Sequence, residues 1–457
     1  MKNSRTLIFG CVWLFLLSPG FAPAWGVMNL EDALEEAIEK NPSISAQDQE
    51  VLIREFYSRS RFSQMLPKVS VNYGYMRLNE APSFTSPAQE ERFLPLVNQQ
   101  GSIADPNTFA YIPPIHEQAV LLGTRDNYQF SIEARQVLFA GGALYNSYRI
   151  ALNEHSASQI DRLRIVRDLK LRVIEAYYGV IQARQILEVA RSGSASIMAH
   201  LDVANAFFNQ GMIPKNDLLE AQVRYAESQQ NLIISDNAVR LAESGLNLLL
   251  GRDLSEAVNI ETEIPQQPLV KTLEQAFAAA SENRQEIKIL LLQMENARKG
   301  TSVAKSRYYP SVAASYTYER TGDKPRVEDD SWKAGLGLSW NLFEGGSNYW
   351  DASRAQALES KLVYLLETLK DQVSLEVKSS YLSVQEADAR IEVAAQAIVQ
   401  AQENLRIQKD RYNLQVATTT NVLDAQALLD QAQKNYISAR ADYAKSLSSL
   451  DAAMGSL

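Results

Sequence analysis

The side chains that most often carry chemistry are sparse in this chain and badly spaced for it. His116, His155 and His200 are the three histidines. None stands at a metal-ligand spacing from another, so solvated helix or loop positions are expected for all three. The acidic pairs Glu35-Glu36 and Asp329-Asp330 fall where a solvated face and a loop are expected, and general acid–base work is not assigned to them. Gly141-Gly142 suits a sharp change of chain direction. No Walker or Rossmann glycine pattern surrounds it, and no serine or cysteine nucleophile signature occurs. The chain does not read as an enzyme, and neither a cofactor nor a metal is expected.

Cys11 is the only cysteine, and it lies inside the apolar run Leu7–Leu17, between Lys2 and Arg5 on one side and Ala22-Pro23-Ala24 on the other. A basic start, a short apolar run and a small-x-small site predict a secretory leader over residues 1–24, leaving Trp25 first. Eleven apolar residues are too few to cross ~30 Å of hydrocarbon as a helix. Without the leader no cysteine remains, so neither disulfides nor thiolate metal sites are expected. Loss of Lys2 and Arg5 takes the formal charge from −9 to −11, which argues against a nucleic-acid partner. No later segment has ~18 consecutive apolar residues, so any membrane crossing must be made by strands.

The elements that position the remaining polar residues come in duplicate. Phe208–Gln222 and Tyr412–Gln426 match at an offset of 204, with Asn209/Asn413, Leu219/Leu423, Ala221/Ala425 and Gln222/Gln426 identical. Each lies between two long helical patterns, so each is the tip of a helical hairpin. A first structural repeat is expected over residues 25–251, a linker over 252–271 and a second repeat over 272–457. In the first, strands are predicted near 69–77 and 128–139 and long helices near 143–209 and 217–250. In the second, the strands fall near 311–320 and 332–343 and the helices near 347–413 and 418–454. Sixty-seven helical residues at ~1.5 Å each make a rod of about 100 Å.

Pro67 and Pro310 precede the first strands at an offset of 243, and Leu138–Gly142 matches Leu342–Gly346 at 204. These mark the strand–helix junctions Pro67, Gly141, Gly142, Pro310, Gly345 and Gly346. The 39-residue difference between offsets lies in the connection Asn79–Asp126, which has six prolines and no steady period. Both return helices carry a seam at 3-4 spacing. It runs Leu218, Ala221, Tyr225, Ser228, Leu232, Ser235, Val239, Ala242, Leu246, Leu249, and again from Val422 to Ala453, as a coiled-coil core would.

The predicted strands set an apolar, aromatic face (Tyr73, Tyr75, Phe130, Tyr316, Tyr318, Trp332, Leu336, Leu338, Trp340) against small or polar residues. That is how a barrel wall with lipid outside and water inside reads; the alternative is a soluble sheet on a helical core. One hairpin per repeat gives a chain four strands, too few to close a barrel. Two chains would give eight strands and a nearly filled interior, whereas three give twelve and a water-filled lumen.

The duplicated helix–strand–strand–helix plan, the Leu-Phe-x-Gly-Gly junctions and the two tip turns resemble the TolC-like outer-membrane efflux proteins, from about Asn29 to Gly455. The resemblance implies a mostly α fold with a β-barrel portion: a homotrimer with one twelve-stranded barrel in the Gram-negative outer membrane and a periplasmic coiled-coil tunnel. It implies a passive exit duct of a tripartite efflux or type I secretion system. The partners would be outer-membrane lipid, a periplasmic adaptor protein at the tips and an inner-membrane pump. Adaptor docking is expected at Gly211, Met212, Ile213, Gln415, Val416 and Ala417.

For the aperture, the resemblance puts Tyr412 at a tyrosine of the closing network. Asp424 falls at the inner acidic ring, and Asn421 at an outer ring aspartate that is absent here. Three Asp424 carboxylates would attract cations, although an acid at a helix N-terminus is also favourable in itself. Two positions depart from the family: Gln415 replaces the second tip glycine, which Gly211 keeps in the first, and Ala417 replaces an arginine. Lys215 and Asp217 are further candidates for closure. The rival expectation is a soluble periplasmic scaffold or adaptor without a pore.

Overall fold

The computed structural model describes residues 27–103, 105, 107–265 and 268–457. The leader expected over residues 1–24 lies outside them. The described chain forms two compact units: one comprises Glu50–Gln159 and Lys288–Glu367, the other the residues up to Gln49, Ile160–Ile287 and Thr368–Leu457.

The elements of the first repeat are α1 (Leu30–Lys40), α2 (Pro42–Ser63), β1 (Lys68–Arg77), β2 (Ser83–Ser86), β3 (Arg92–Pro95), β4 (Phe109–Ile112), β5 (Gln118–Leu121), β6 (Asp126–Ala140), α3 (Ala143–Asn209) and α4 (Lys215–Leu250). The second has α5 (Leu273–Asn283), α6 (Gln285–Lys305), a 3-10 turn at Ser306–Tyr308, β7 (Ser311–Gly322), β8 (Asp329–Ser339), α7 (Ser347–Asn413) and α8 (Thr419–Met454). Local chemistry sets the boundaries. Asn29 with Asp32, Thr272 with Gln275, and Thr418 with Asn421 form capping boxes that satisfy the first free amides of α1, α5 and α8. Gly251 (φ 71°) and Gly455 (φ 74°) end α4 and α8 in the left-handed conformation.

In the strand-bearing unit the order is β1-β6-β7-β8, all antiparallel. Directly opposed residues share a face. Val71, Ile132, Tyr318 and Trp332 form one such row, and Val69, Ala134, Tyr316 and Ala334 the next. The other face carries Asn72, Ser131, Glu319 and Ser331 in one row. The register therefore gathers the apolar side chains on one face of all four strands. An irregularity between Val137 and Phe139 shifts β6 by one residue, so that Phe139 faces Val312 and Leu338 on the apolar side.

Two strand expectations need correction. The chain has more than four strands: within Asn79–Asp126, β2 pairs with β5 and β3 with β4, as small ladders outside the main sheet. Each strand is four residues long and separated by proline-bearing breaks, too short to show a period. β8 also stops at Ser339 rather than near 343, because the next residue of its partner strand would be Pro310, which has no N–H to give the ladder.

In the helical unit the core joins α1, α3, α4 and α8. Ala33, Ala37, Val173, Tyr177, Leu246, Leu250, Ala441 and Ala444 are buried together. Val258, Ile260 and Ile264 pack into the same cluster, so the segment expected as a linker is partly core, and Ile260 bridges Met28. Buried Arg167 donates to Glu286 at 2.7 Å, and Arg284 Nε lies 3.1 Å from the same carboxylate. Burial is the largest single influence on Glu286 and opposes its charge, but the Arg167 hydrogen bond, a backbone hydrogen bond and the charges of Arg167 and Arg284 together outweigh it and hold the carboxyl below its ordinary range.

Candidate functional site

Both tips are built by the same backbone device. At the end of α3, Gly211 N–H donates to the Phe208 carbonyl and Met212 N–H to that of Phe207, both at 2.9 Å. At the end of α7, Gln415 donates to Tyr412 and Val416 to Arg411, again both at 2.9 Å. This pair of hydrogen bonds needs a left-handed residue at its centre. Gly211 supplies φ 71°, and Gln415 reaches φ 60° as the one non-glycine with positive φ among the described residues.

The candidate docking residues divide by environment. Met212, Gln415 and Val416 are exposed, as is Leu414 beside them, and Gly211 carries no side chain. Ile213 packs on Ala204, Leu218 and Ala221, while Ala417 packs on the cluster of Leu405, Tyr412, Val422 and Ala425. Each tip thus has an apolar root and an exposed apolar crown.

The candidate gating residues separate in the same way. Tyr412 is 3% exposed; its ring stacks on Phe207 with centroids 5.6 Å apart and lies 4.6 Å from His200, and its hydroxyl accepts from Thr419 Oγ1 at 3.3 Å. Asn421 Oδ1 accepts from the Thr418 amide at 3.0 Å, so this residue caps α8. Lys215 is exposed at the start of α4, and half-buried Asp217 accepts from Asn216 Nδ2 at 2.7 Å. Asp424 is exposed and lies 3.6 Å from Arg224.

Arg224 and two other residues at this site were missed by sequence reasoning. Thr420 Oγ1 donates to Glu220 Oε2 at 2.9 Å, which joins α4 to α8, as Arg224 and Asp424 do. Glu220 is the repeat mate of Asp424 at the offset of 204, and that offset was the signal for it. The mate of Arg224 is Leu428, so the repeat gave no sign of the arginine.

Behind the tips lies a polar chain that includes a correction. His200 is 7% exposed rather than solvated. Burial and, secondarily, the nearby Lys409 charge push its pKa down to about 4. Lys409 Nζ donates to Ser196 Oγ at 3.0 Å, Ser196 to Gln426 Oε1 at 2.7 Å, and Gln426 Nε2 to Asp430 Oδ1 at 2.7 Å. Burial raises the Asp430 pKa. A Cβ at Gly193 would lie 2.5 Å from Asp430 Oδ2, so this glycine lets α3 approach α8 at the carboxylate.

The junctions repeat closely. Gly141 and Gly142 have φ 60° and 81°, and Gly345 and Gly346 have 62° and 82°. Pro67 and Pro310 immediately precede β1 and β7. Gln136 Nε2 donates to the Met65 carbonyl at 2.6 Å, and Trp340 Nε1 to the Tyr308 carbonyl at 3.1 Å; donors and acceptors are repeat mates. The junction glycines differ in surroundings. A Cβ at Gly141 would lie 2.5 Å from the Ser306 carbonyl oxygen, whereas nothing lies within 4 Å of one at Gly345.

The comparisons agree with this geometry. A family model described as "Outer membrane efflux protein" matches residues 33–252 and 277–456. The outer membrane protein TolC of Escherichia coli is 26% identical over 310 residues, covering 63% of this chain but 62% of that protein, so less than two thirds of that relative is spanned. The alkaline protease secretion protein AprF of Pseudomonas aeruginosa is 22% identical over 454 residues, covering 97% of this chain and 86% of that protein. The fold matches the crystal structure of the outer membrane protein VceC from Vibrio cholerae with a TM-score of 0.73, at 17% identity over 93% of this chain and 96% of that one.

Proposed function

Because the chain belongs to the outer membrane efflux protein family, and so is an outer-membrane channel component, we propose that three copies make one passive exit duct. A periplasmic adaptor and an inner-membrane pump open its tips, in tripartite efflux or type I secretion. The observation that carries this reading is the sheet with two open edges, β1 and β8. An unpaired edge is not tolerated in hydrocarbon, so each β8 must find the β1 of another copy. Three sheets give twelve strands around a water-filled lumen.

The repeats supply the template for that contact. Inside the chain, the second strand of one repeat pairs with the first strand of the next, as β6 does with β7. The same pairing between chains sets β8 against β1. It also brings Ser63, the repeat mate of Ser306, to the open space beside Gly345. Exposed Ile233, Ile234 and Leu241 on α4 and Leu375, Val393 and Val399 on α7 supply apolar faces for further contact between copies.

At the tips, Met212, Leu414 and Val416 offer the adaptor an apolar seat, and Glu220 and Asp424 would set six carboxylates at the mouth of a trimer. The test is direct. Detergent-extracted protein is expected to run as an SDS-resistant trimer and to form pores in planar bilayers. A water-soluble monomer would overturn the reading.

A further inference from the structure

The two repeats differ sharply at one junction. In the first, Phe62 at the end of α2 meets Tyr148 on α3, with ring centroids 5.4 Å apart. Their repeat mates are Lys305 and Ala352, and Leu152 is matched by Gln356. Where the first repeat packs two aromatic rings, the second leaves a cleft of about 420 Å³ lined by Lys305, Tyr308, Tyr309, Tyr349, Ala352 and Gln356. The change removes the filler and adds a cation.

The cleft has an electrostatic sign and a position. Lys305 makes no ion pair among the described residues. The neighbouring acid, Asp351, is held by Arg307 at 2.6 Å and Arg354 at 3.3 Å, which leaves an excess of positive charge. Tyr308, Tyr309, Tyr349 and Trp350 are exposed around it. Trp340 continues the apolar set of Trp332, Leu336 and Leu338 and donates to the Tyr308 carbonyl at 3.1 Å, so the cleft joins the apolar face of the sheet. Aromatic residues at the end of a barrel wall mark the headgroup layer.

We propose that this cleft binds the headgroup of a phospholipid from the periplasmic leaflet, with Lys305 on the phosphate and the tyrosines around the glycerol and first acyl carbons. The inference rests on the outer-membrane trimer described above. It fits a phosphate because a lone ammonium among phenol rings offers charge, hydrogen bonds and apolar contact at once. The second repeat thereby exchanges an internal aromatic contact for an external one with lipid.

The test uses the detergent-extracted, delipidated protein and native mass spectrometry, with phosphatidylethanolamine as the probe. Wild type is expected to bind a saturable set of lipid in multiples of three per trimer. Lys305→Glu should weaken that set by about tenfold, roughly one lost charge-assisted contact, and the double variant Tyr309→Ala/Tyr349→Ala by about tenfold through lost apolar contact and hydrogen bonds. Lys324→Glu, on the exposed connection between β7 and β8, should leave it unchanged. Equal binding by wild type and both cleft variants would mean bulk annular lipid and overturn the proposal. Displacement by inorganic phosphate alone would assign the cleft to free phosphate instead. Loss of the trimer in Lys305→Glu would make it a contact between copies. A wild type that never forms trimers would fail the channel reading rather than this one.

Discussion

Arg224 on α4 stands 3.6 Å from the Asp424 carboxylate on α8, so the side chain that best suits an acidic constriction is partly neutralised within its own chain. Both groups are well exposed, and an ion pair of this kind contributes at most about 1 kcal/mol to stability. Its effect is expected on permeant ions instead. Asp424→Asn should reduce cation preference, and Arg224→Ala should increase it by freeing the carboxylate. Reversal potentials in planar bilayers measure both; unchanged values in the two variants would remove the constriction from the mechanism.

Gln415 holds a left-handed backbone that its repeat mate Gly211 reaches without a Cβ. Gln415→Gly should stabilise the second tip by about 1 kcal/mol, and Gly211→Gln should destabilise the first by a similar amount. Hydrogen exchange of the tip amides reads the two changes separately. A Gln415→Gly tip that exchanges faster than wild type would show that the side chain makes a contact worth more than the strain.

The junction glycines should behave differently although their backbones match. Gly141→Ala forces a Cβ against the Ser306 carbonyl oxygen as well as into positive φ, and should cost about 2–3 kcal/mol in the thermal unfolding of a single chain. Gly345→Ala should cost about 1 kcal/mol there, from φ alone. In the trimer its cost should rise, because the neighbouring Ser63 then fills the space. A Gly345→Leu variant that assembles as well as wild type would contradict that placement.

His200 should make the tips acid-sensitive. Its folded pKa, about 4, lies below the ordinary histidine value, so the unfolded tip takes up the proton first as pH falls. The stabilisation from keeping the ring neutral is complete above about pH 6.5 and is lost progressively down to about pH 4, by up to roughly 3 kcal/mol. His200→Phe keeps a ring against Tyr412 and should abolish this slope. Tip hydrogen exchange at neutral and mildly acidic pH decides: equal acid sensitivity in the variant would assign the slope to a group other than His200, and not to Asp430, whose raised pKa favours the folded state as pH falls.

Much of the fold was legible because it rests on periodicity and duplication. All ten seam positions of α4 and all ten of α8 are buried or half-buried. The paired offsets located both junctions and both tips. The features that escaped depend on non-local packing or on a single residue. His200 is buried by Tyr412, 212 positions away, which no local pattern reports. The shift in β6 was hidden because Val137, Leu138 and Phe139 are all apolar, so one extra residue leaves the composition unchanged. The ring of Tyr412 is buried inside the tip against Phe207, and no sequence spacing reports that burial.

The helices α3 and α7 each have 67 residues, and α4 and α8 each have 36. From Leu138/Leu342 to Gly251/Gly455 the two halves keep one offset without a slip. A single deletion in one long helix would displace the rest of that helix by about 1.5 Å and turn it by about 100°. Its seam would then face away from its partners. Length in this part of the gene can change only by matched events in both halves, while the connection between β1 and β6, which already differs by 39 residues from its counterpart, is free to drift. The duplication has left a molecule whose amino acids vary readily between halves but whose indels are forbidden along the helices.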